Sequence, residues 1–131
     1  TGDGEFNLPL SIGVAPDGSV YVADTLNHRI QKFTSEGGFV TKWGTQGTGD
    51  GEFNLPDGVA VASDGSVYVA DYYNHRIQKF TSEGGFVSKW GTYGSGDGEF
   101  DEPTGVAVAS DGSVYVADSW NDRIQKFLPG N

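Results

Sequence analysis

The sequence has no cysteine and no methionine. Without cysteine there is no disulfide, no thiolate metal site, no thiol nucleophile and no clue to redox compartment. Without methionine the first residue, Thr1, is not expected to be a translation start, and the chain reads as an excised, processed or engineered segment, or as one whose leader is not shown. Cations are scarce: 8 Lys and Arg against 18 Asp and Glu give a formal net charge of −10. Phosphate backbones and anionic membrane surfaces need concentrated basic charge, so neither nucleic acid nor membrane is expected as a partner. No apolar run is long enough to cross a bilayer or to form the core of a secretory signal. A soluble chain is expected, and nothing points to a compartment.

What is abundant is glycine (21) and aromatic residues (3 Trp, 6 Tyr, 8 Phe). Glycine turns among aromatic and β-branched residues indicate an all-β chain of short strands. The stretch Val-Ala-Asp-x-x-Asn-His/Asp-Arg-Ile-Gln-Lys-Phe begins at Val22, Val69 and Val116, a period of 47 residues. Residues 1–47 and 48–94 differ at positions 10–13, 16, 25, 26, 41 and 46 and agree at the other 38. Such agreement exceeds what a shared fold requires and indicates recent duplication or design. A fixed period in this range marks a solenoid, an array or a propeller.

The second repeat offers four strands, 58–63, 66–71, 76–81 and 86–91. The first two are joined by Ser63-Asp64-Gly65-Ser66, where Asp-Gly predicts a hairpin with both central residues at positive φ. Ser82-Glu83-Gly84-Gly85 predicts a second tight turn. In the second strand Val67 and Val69 alternate with Tyr68 and Ala70, so both faces are apolar and both must be covered. Four-stranded meanders packed face to face are propeller blades. The expected organisation is one unit, 1–131, of three blades: 1–47, 48–94 and 95–131. The last repeat turns to Leu128-Pro129-Gly130-Asn131 after its third strand, and the first residues, TGDGEFNLP, make a poor strand, so this blade is expected to stay three-stranded.

The unit resembles the NHL repeat. Asn27-His28 and Asn74-His75 carry its signature, Asn121-Asp122 departs from it, and P-x-G-V-A-V and D-G-S-V-Y-V-A-D match around them. The resemblance covers essentially the whole chain and implies a β-propeller; members of the family serve binding, scaffolding and, in some cases, metal-assisted catalysis. Three blades do not close a ring, so two copies are expected to pair about a two-fold axis into six blades.

Strand direction puts the varied pairs Thr25-Leu26, Tyr72-Tyr73 and Ser119-Trp120 on one face with the loop GTGDGEFNLP. Leu26, Tyr72, Tyr73 and Trp120 are the candidate contact residues for a protein, peptide or glycan. Asp24 with Arg29, Asp71 with Arg76 and Asp118 with Arg123 are expected to pair across the same connection as structural elements. Phe6, Phe53 and Phe100 are expected to plug the blade interfaces. The loop acids Asp3, Glu5, Asp50, Glu52, Asp97 and Glu99 lack the density of a calcium loop, and their expected work is turn formation and solubility. The histidine-bound zinc that the resemblance implies for some enzymes has no axial histidine or carboxylate on the inner strands to hold it. No nucleophile elbow, zinc-protease motif or phosphate loop is present. The expectation is therefore no enzyme, no cofactor and no metal: a self-assembling scaffold, with a ligand-binding module as the alternative and a metal-assisted lyase or hydrolase as the least favoured.

Overall fold

The computed structural model describes residues 1–129, and the end of the third repeat, 130–131, lies outside them. The first blade is β1 (Pro9–Val14), β2 (Val20–Asp24), β3 (Arg29–Phe33) and β4 (Phe39–Trp43). The second is β5 (Pro56–Val61), β6 (Val67–Asp71), β7 (Arg76–Phe80) and β8 (Phe86–Trp90). The third is β9 (Pro103–Val108), β10 (Val114–Asp118) and β11 (Arg123–Phe127). Each blade is an antiparallel meander in chain order, two of four strands and one of three among the described residues.

The hairpin turns differ in one respect from the expectation. At Ala15–Ser19 only Gly18 has positive φ (92°), while Gly18 N–H donates to the Ala15 carbonyl and Ala15 N–H to Ser19. This is a three-residue loop, a type I turn closed by a left-handed glycine. The aspartate is there for its side chain, whose Oδ1 accepts the Ser19 N–H at 2.9 Å. Asp64 and Asp111 do the same for Ser66 and Ser113.

The alternation in β6 sorts its side chains as the sequence implies. Val67 and Val69 join Tyr21, Ala23, Ile30, Phe53, Val59 and Phe80 in a core between the first two blades. Tyr68 and Ala70 join Ile77, Phe100, Val114 and Val116 in a second core between the last two. Each junction carries a tryptophan from the outer strand of one blade into the next: Trp43 packs on Phe80 at 5.5 Å and Trp90 on Phe127 at 5.4 Å. Gly84 is required by this step, since a β-carbon there would lie 2.5 Å from the Trp43 ring. Phe53 and Phe100 are fully buried against the same phenylalanines, as expected. Phe6, in the first repeat, is instead 43% exposed.

Near the axis the inner strands converge. A β-carbon on Gly58 would come within 2.8 Å of the Thr104 carbonyl oxygen, so only glycine fits. The first repeat carries Ser11 there, and its Oγ accepts the Val59 N–H at 3.2 Å. That substitution has a role at the junction with the second blade. Ile12 and Val14 line the open flank instead.

Candidate functional site

One face of the blades is built by a repeated polar grip. Asp71 is wholly buried at the end of β6; its Oδ1 accepts the Asn54 N–H, and its Oδ2 accepts from Asn74, Arg76 Nε and Gln78. The Arg76 guanidinium then donates to the carbonyls of Thr48, Gly49 and Glu52, while Gln78 holds Gly51 and Glu52. The whole 48–54 loop is thus hung from three side chains. The expected pairs form in every blade: Arg29–Asp24 at 2.7 Å, Arg76–Asp71 at 2.8 Å and Arg123–Asp118 at 2.8 Å. Burial pushes the Asp71 carboxyl up more than its donors pull it down. In the end blades burial also acts upward, but the donors led by Asn7 N–H and Asp101 N–H outweigh it, and Asp24 and Asp118 sit below the ordinary range.

The NHL signature residues tie one blade to the next. Asn74 Nδ2 reaches back to the Gly47 carbonyl and Asn121 Nδ2 to Gly94, both at 2.8 Å. His28 Nδ1 reaches forward to accept the Leu55 N–H, and His75 Nδ1 accepts the Glu102 N–H. Leu55 (φ 61°) and Glu102 (φ 55°) are left-handed and precede prolines, a strained combination that these bonds hold in place. The histidines are structural straps, and among the described residues no group of three or more potential ligands could hold a metal.

The acidic loops are likewise occupied. Glu5, Glu52 and Glu99 accept the backbone N–H of Gly2, Gly49 and Gly96, and Asp3 and Asp50 pair with Lys42 and Lys89 of the outer strands.

The varied pairs occupy single-turn 3-10 segments at Thr25–Asn27, Tyr72–Asn74 and Ser119–Asn121, on the same face as these loops. Their first members all use their hydroxyls, though only Thr25 is buried. Thr25 is buried with its hydroxyl on the Pro56 carbonyl, Ser119 meets the Thr104 hydroxyl, and Tyr72 receives the Trp120 indole N–H at 3.4 Å. The second members, Leu26, Tyr73 and Trp120, are exposed. Tyr72 and Tyr73 meet edge to face at 4.9 Å, so Tyr72, Tyr73 and Trp120 form one aromatic cluster across two blades. Leu26 stands on the first blade and is not joined to it by any ring contact or hydrogen bond. Tyr93 rests against His75 at 4.9 Å and is another exposed aromatic, which the varied pairs alone did not reveal.

The inner strands do carry a carboxylate, contrary to the expectation. Each one bulges immediately after its first proline, and the bulged residue is Leu10, Asp57 or Thr104. A bulge leaves its extra residue unpaired, disrupts the ladder locally and re-aims the side chain. Asp57 is half-buried there, and burial, with the charge of Glu102 adding to it, pushes its carboxyl up to about 6. The strand expected at 58–63 in fact starts at Pro56, which is why Asp57 was missed. Its signal was present, because Leu10, Asp57 and Thr104 differ in all three repeats directly after a proline that all three share.

The fold has known counterparts. A hydrazine synthase from Kuenenia stuttgartiensis superposes with a TM-score of 0.67 at 15% identity, over 94% of this chain and 36% of its own. A streptogramin B lyase does so with 0.65 at 17% identity, over 89% and 39%. A calcium-binding protein, regucalcin, from Agrobacterium tumefaciens gives 0.65 at 15% identity, over 93% and 46%. The chain spans less than half of each, and at these identities the likeness is one of β-propeller fold. No curated protein matches it in sequence. Among the described residues no helix is long and apolar enough to cross a membrane. The NHL repeat itself matches residues 6–33, 53–80 and 100–127, the segments that hold every Asp–Arg grip and every Asn–His strap, and the chain belongs to the NHL repeat family.

Proposed function

We propose that this chain is a non-catalytic scaffold whose three blades pair with those of a second copy into a six-bladed ring. One observation carries the reading: the apolar residues exposed on the two open flanks are the counterparts of residues that the junctions between blades bury. The first blade exposes Phe6, Ile12 and Val14, while their counterparts Phe53, Val59 and Val61 are covered or partly covered. The third blade exposes Tyr115 and Ile124 (66% exposed), whose counterparts Tyr21, Tyr68, Ile30 and Ile77 are buried. Bare apolar surface of this extent is unusual on a soluble monomer. The absence of catalysis is supported by the grips, since the Asp24, Asp71 and Asp118 carboxylates are saturated by backbone and side-chain donors. Light scattering over a dilution series tests the pairing: twice the chain mass is expected throughout, and a folded monomer overturns it.

A second reading rests on a different observation. From the second repeat to the third, residues 48–80 and 95–127 differ only at loop-face positions: 48, 54, 55, 57, 72, 73 and 75. Variation confined to one face of a fixed frame favours a binding surface for a protein, peptide or glycan around Tyr72, Tyr73 and Trp120. Tyr73→Ala with Trp120→Ala should abolish capture of such a ligand at unchanged stability; capture that survives the double change removes this reading.

A further inference from the structure

We propose that the loop face where the second and third blades meet takes a cationic peptide, an arginine side chain stacking on Tyr72, Tyr73 and Trp120 while Asp57 and Glu102 answer its charge. The inference rests on the loop-face reading above and names the chemistry of the ligand. Main-chain bonds fix the aromatic cluster beside these acids. Tyr72 and Tyr73 N–H donate to the Leu55 and Asn54 carbonyls, Trp120 N–H donates to the Asp101 carbonyl, and the Trp120 indole reaches Tyr72 across the seam. Glu102 is held at the same seam by its own N–H, which donates to His75 Nδ1 of the second blade at 3.0 Å. In the third blade the bulged Thr104 meets Ser119, the first member of the varied pair; the equivalent neighbours in the second blade are Asp57 and Tyr72.

The charge of this seam is not balanced from within. In the second repeat Asp50 pairs with Lys89, Glu52 accepts the Gly49 N–H and Asp64 accepts the Ser66 N–H. Among the described residues the carboxylates of Asp57, Asp101 and Glu102 have no ion-pair or hydrogen-bond partner. The arginines nearby do not supply one, because Arg76 and Arg123 are engaged by the grip aspartates and the loop carbonyls. Burial and Glu102 push the Asp57 carboxyl up to about 6, as befits an acid short of counter-charge.

The differences between repeats point the same way. Asn7-Leu8 and Asn54-Leu55 become Asp101-Glu102 in the third repeat, and Leu10 becomes Asp57 in the second. Thr25-Leu26 becomes Tyr72-Tyr73, and Trp120 follows in the third. Rings and carboxylates thus arrive together on the second and third blades, and the first has neither at these positions. No varied position adds a lysine or arginine. A guanidinium suits this mixture, since its flat face stacks on aromatic rings while its edge donates to carboxylates.

The probe is a synthetic peptide, acetyl-Gly-Arg-Gly-Arg-Gly-amide, titrated into the intact chain beside a copy with citrulline for arginine, which keeps the shape and loses the charge. Saturable binding of the arginine peptide is expected, weaker by about tenfold or more with citrulline. Asp57→Asn, Glu102→Gln and Trp120→Ala should each weaken it about two- to fivefold, the range of one exposed ion pair or cation–π contact. Glu36→Gln removes the same charge from the β3–β4 turn, at the other end of the strands, and should leave binding unchanged. No saturable binding of the arginine peptide, equal binding of the citrulline peptide, or equal losses from Glu36→Gln and Glu102→Gln overturns the inference. The loop-face reading survives any of these results if Tyr73→Ala with Trp120→Ala still abolishes capture of a ligand, and falls only if that double change is silent.

Discussion

Replacing Asp57 by Asn probes the electrostatics of the inner bulge, because the wild-type carboxyl there is disfavoured in its charged form. Burial and the neighbouring Glu102 raise it from the ordinary 3.8 to about 6. The folded chain therefore keeps this proton up to about pH 6, whereas the unfolded chain releases it near 3.8. Within that window the folded state binds more protons, so stability falls as the pH rises and stays lower above it. A shift of this size corresponds to about 3 kcal/mol at neutral pH. Asp57 is only half-buried, and solvent screening reduces the expected penalty to about 1 kcal/mol. Asn has the same shape and does not ionise. The variant should match wild type near pH 4, gain through pH 5 and 6, and be more stable by about 1 kcal/mol at pH 7.5, or about 3–5 °C in Tm for a chain of this length. Chemical denaturation at fixed chain concentration reads the difference at each pH, the concentration being held because assembly would itself shift the midpoint. Glu102→Gln should flatten the wild-type curve by removing the like charge. A difference between Asp57 and Asn that is constant with pH, or that shrinks as pH rises, refutes the account.

The polar grip predicts an asymmetry between blades: Asp71→Ala strands a buried Arg76 guanidinium and should cost about 3–5 kcal/mol. Asp118→Ala should cost clearly less in the same denaturation assay, because Arg123 is already 28% exposed and Arg76 only 8%. Trp43→Ala empties the space between Phe80 and Gly84 and should lower stability by about 2–3 kcal/mol in denaturant melts, below the range for a fully buried tryptophan because Trp43 is only partly buried. His28→Ala leaves the Leu55 N–H without its acceptor and should cost about 1–3 kcal/mol, with faster amide exchange at Leu55 as the local signature.

The blade count, the strand order and the faces of β6 were legible because period-two alternation and a 47-residue repeat report directly on sheets that must be covered on both sides. The Asp–Arg pairs were legible for the same reason, a fixed spacing copied in each repeat. What escaped was set by backbone geometry. Asp57 belongs to a strand that starts two residues before the Gly-Val-Ala-Val run, and only the bulge turns it out of the ladder. The Asp-Gly turn looked like a two-residue hairpin, yet Asp17 serves through its carboxylate and Gly18 alone bends the chain. The work of His28 and His75 was hidden because their partners are main-chain groups 27 residues away.

The tryptophan step between blades gives the stack a polarity. Trp43 always leaves one blade and enters the next, and Trp90 repeats the move in the same sense. The two flanks of the stack are therefore unlike: the first blade presents Phe33 with no indole from another blade on it, while the third, among the described residues, has no outer strand to send an indole onward. Two first-blade flanks brought together would set Phe33 against Phe33 with no indole between them. In the proposed two-copy ring, each seam between copies would therefore have to form without the indole that fills the seams within a copy.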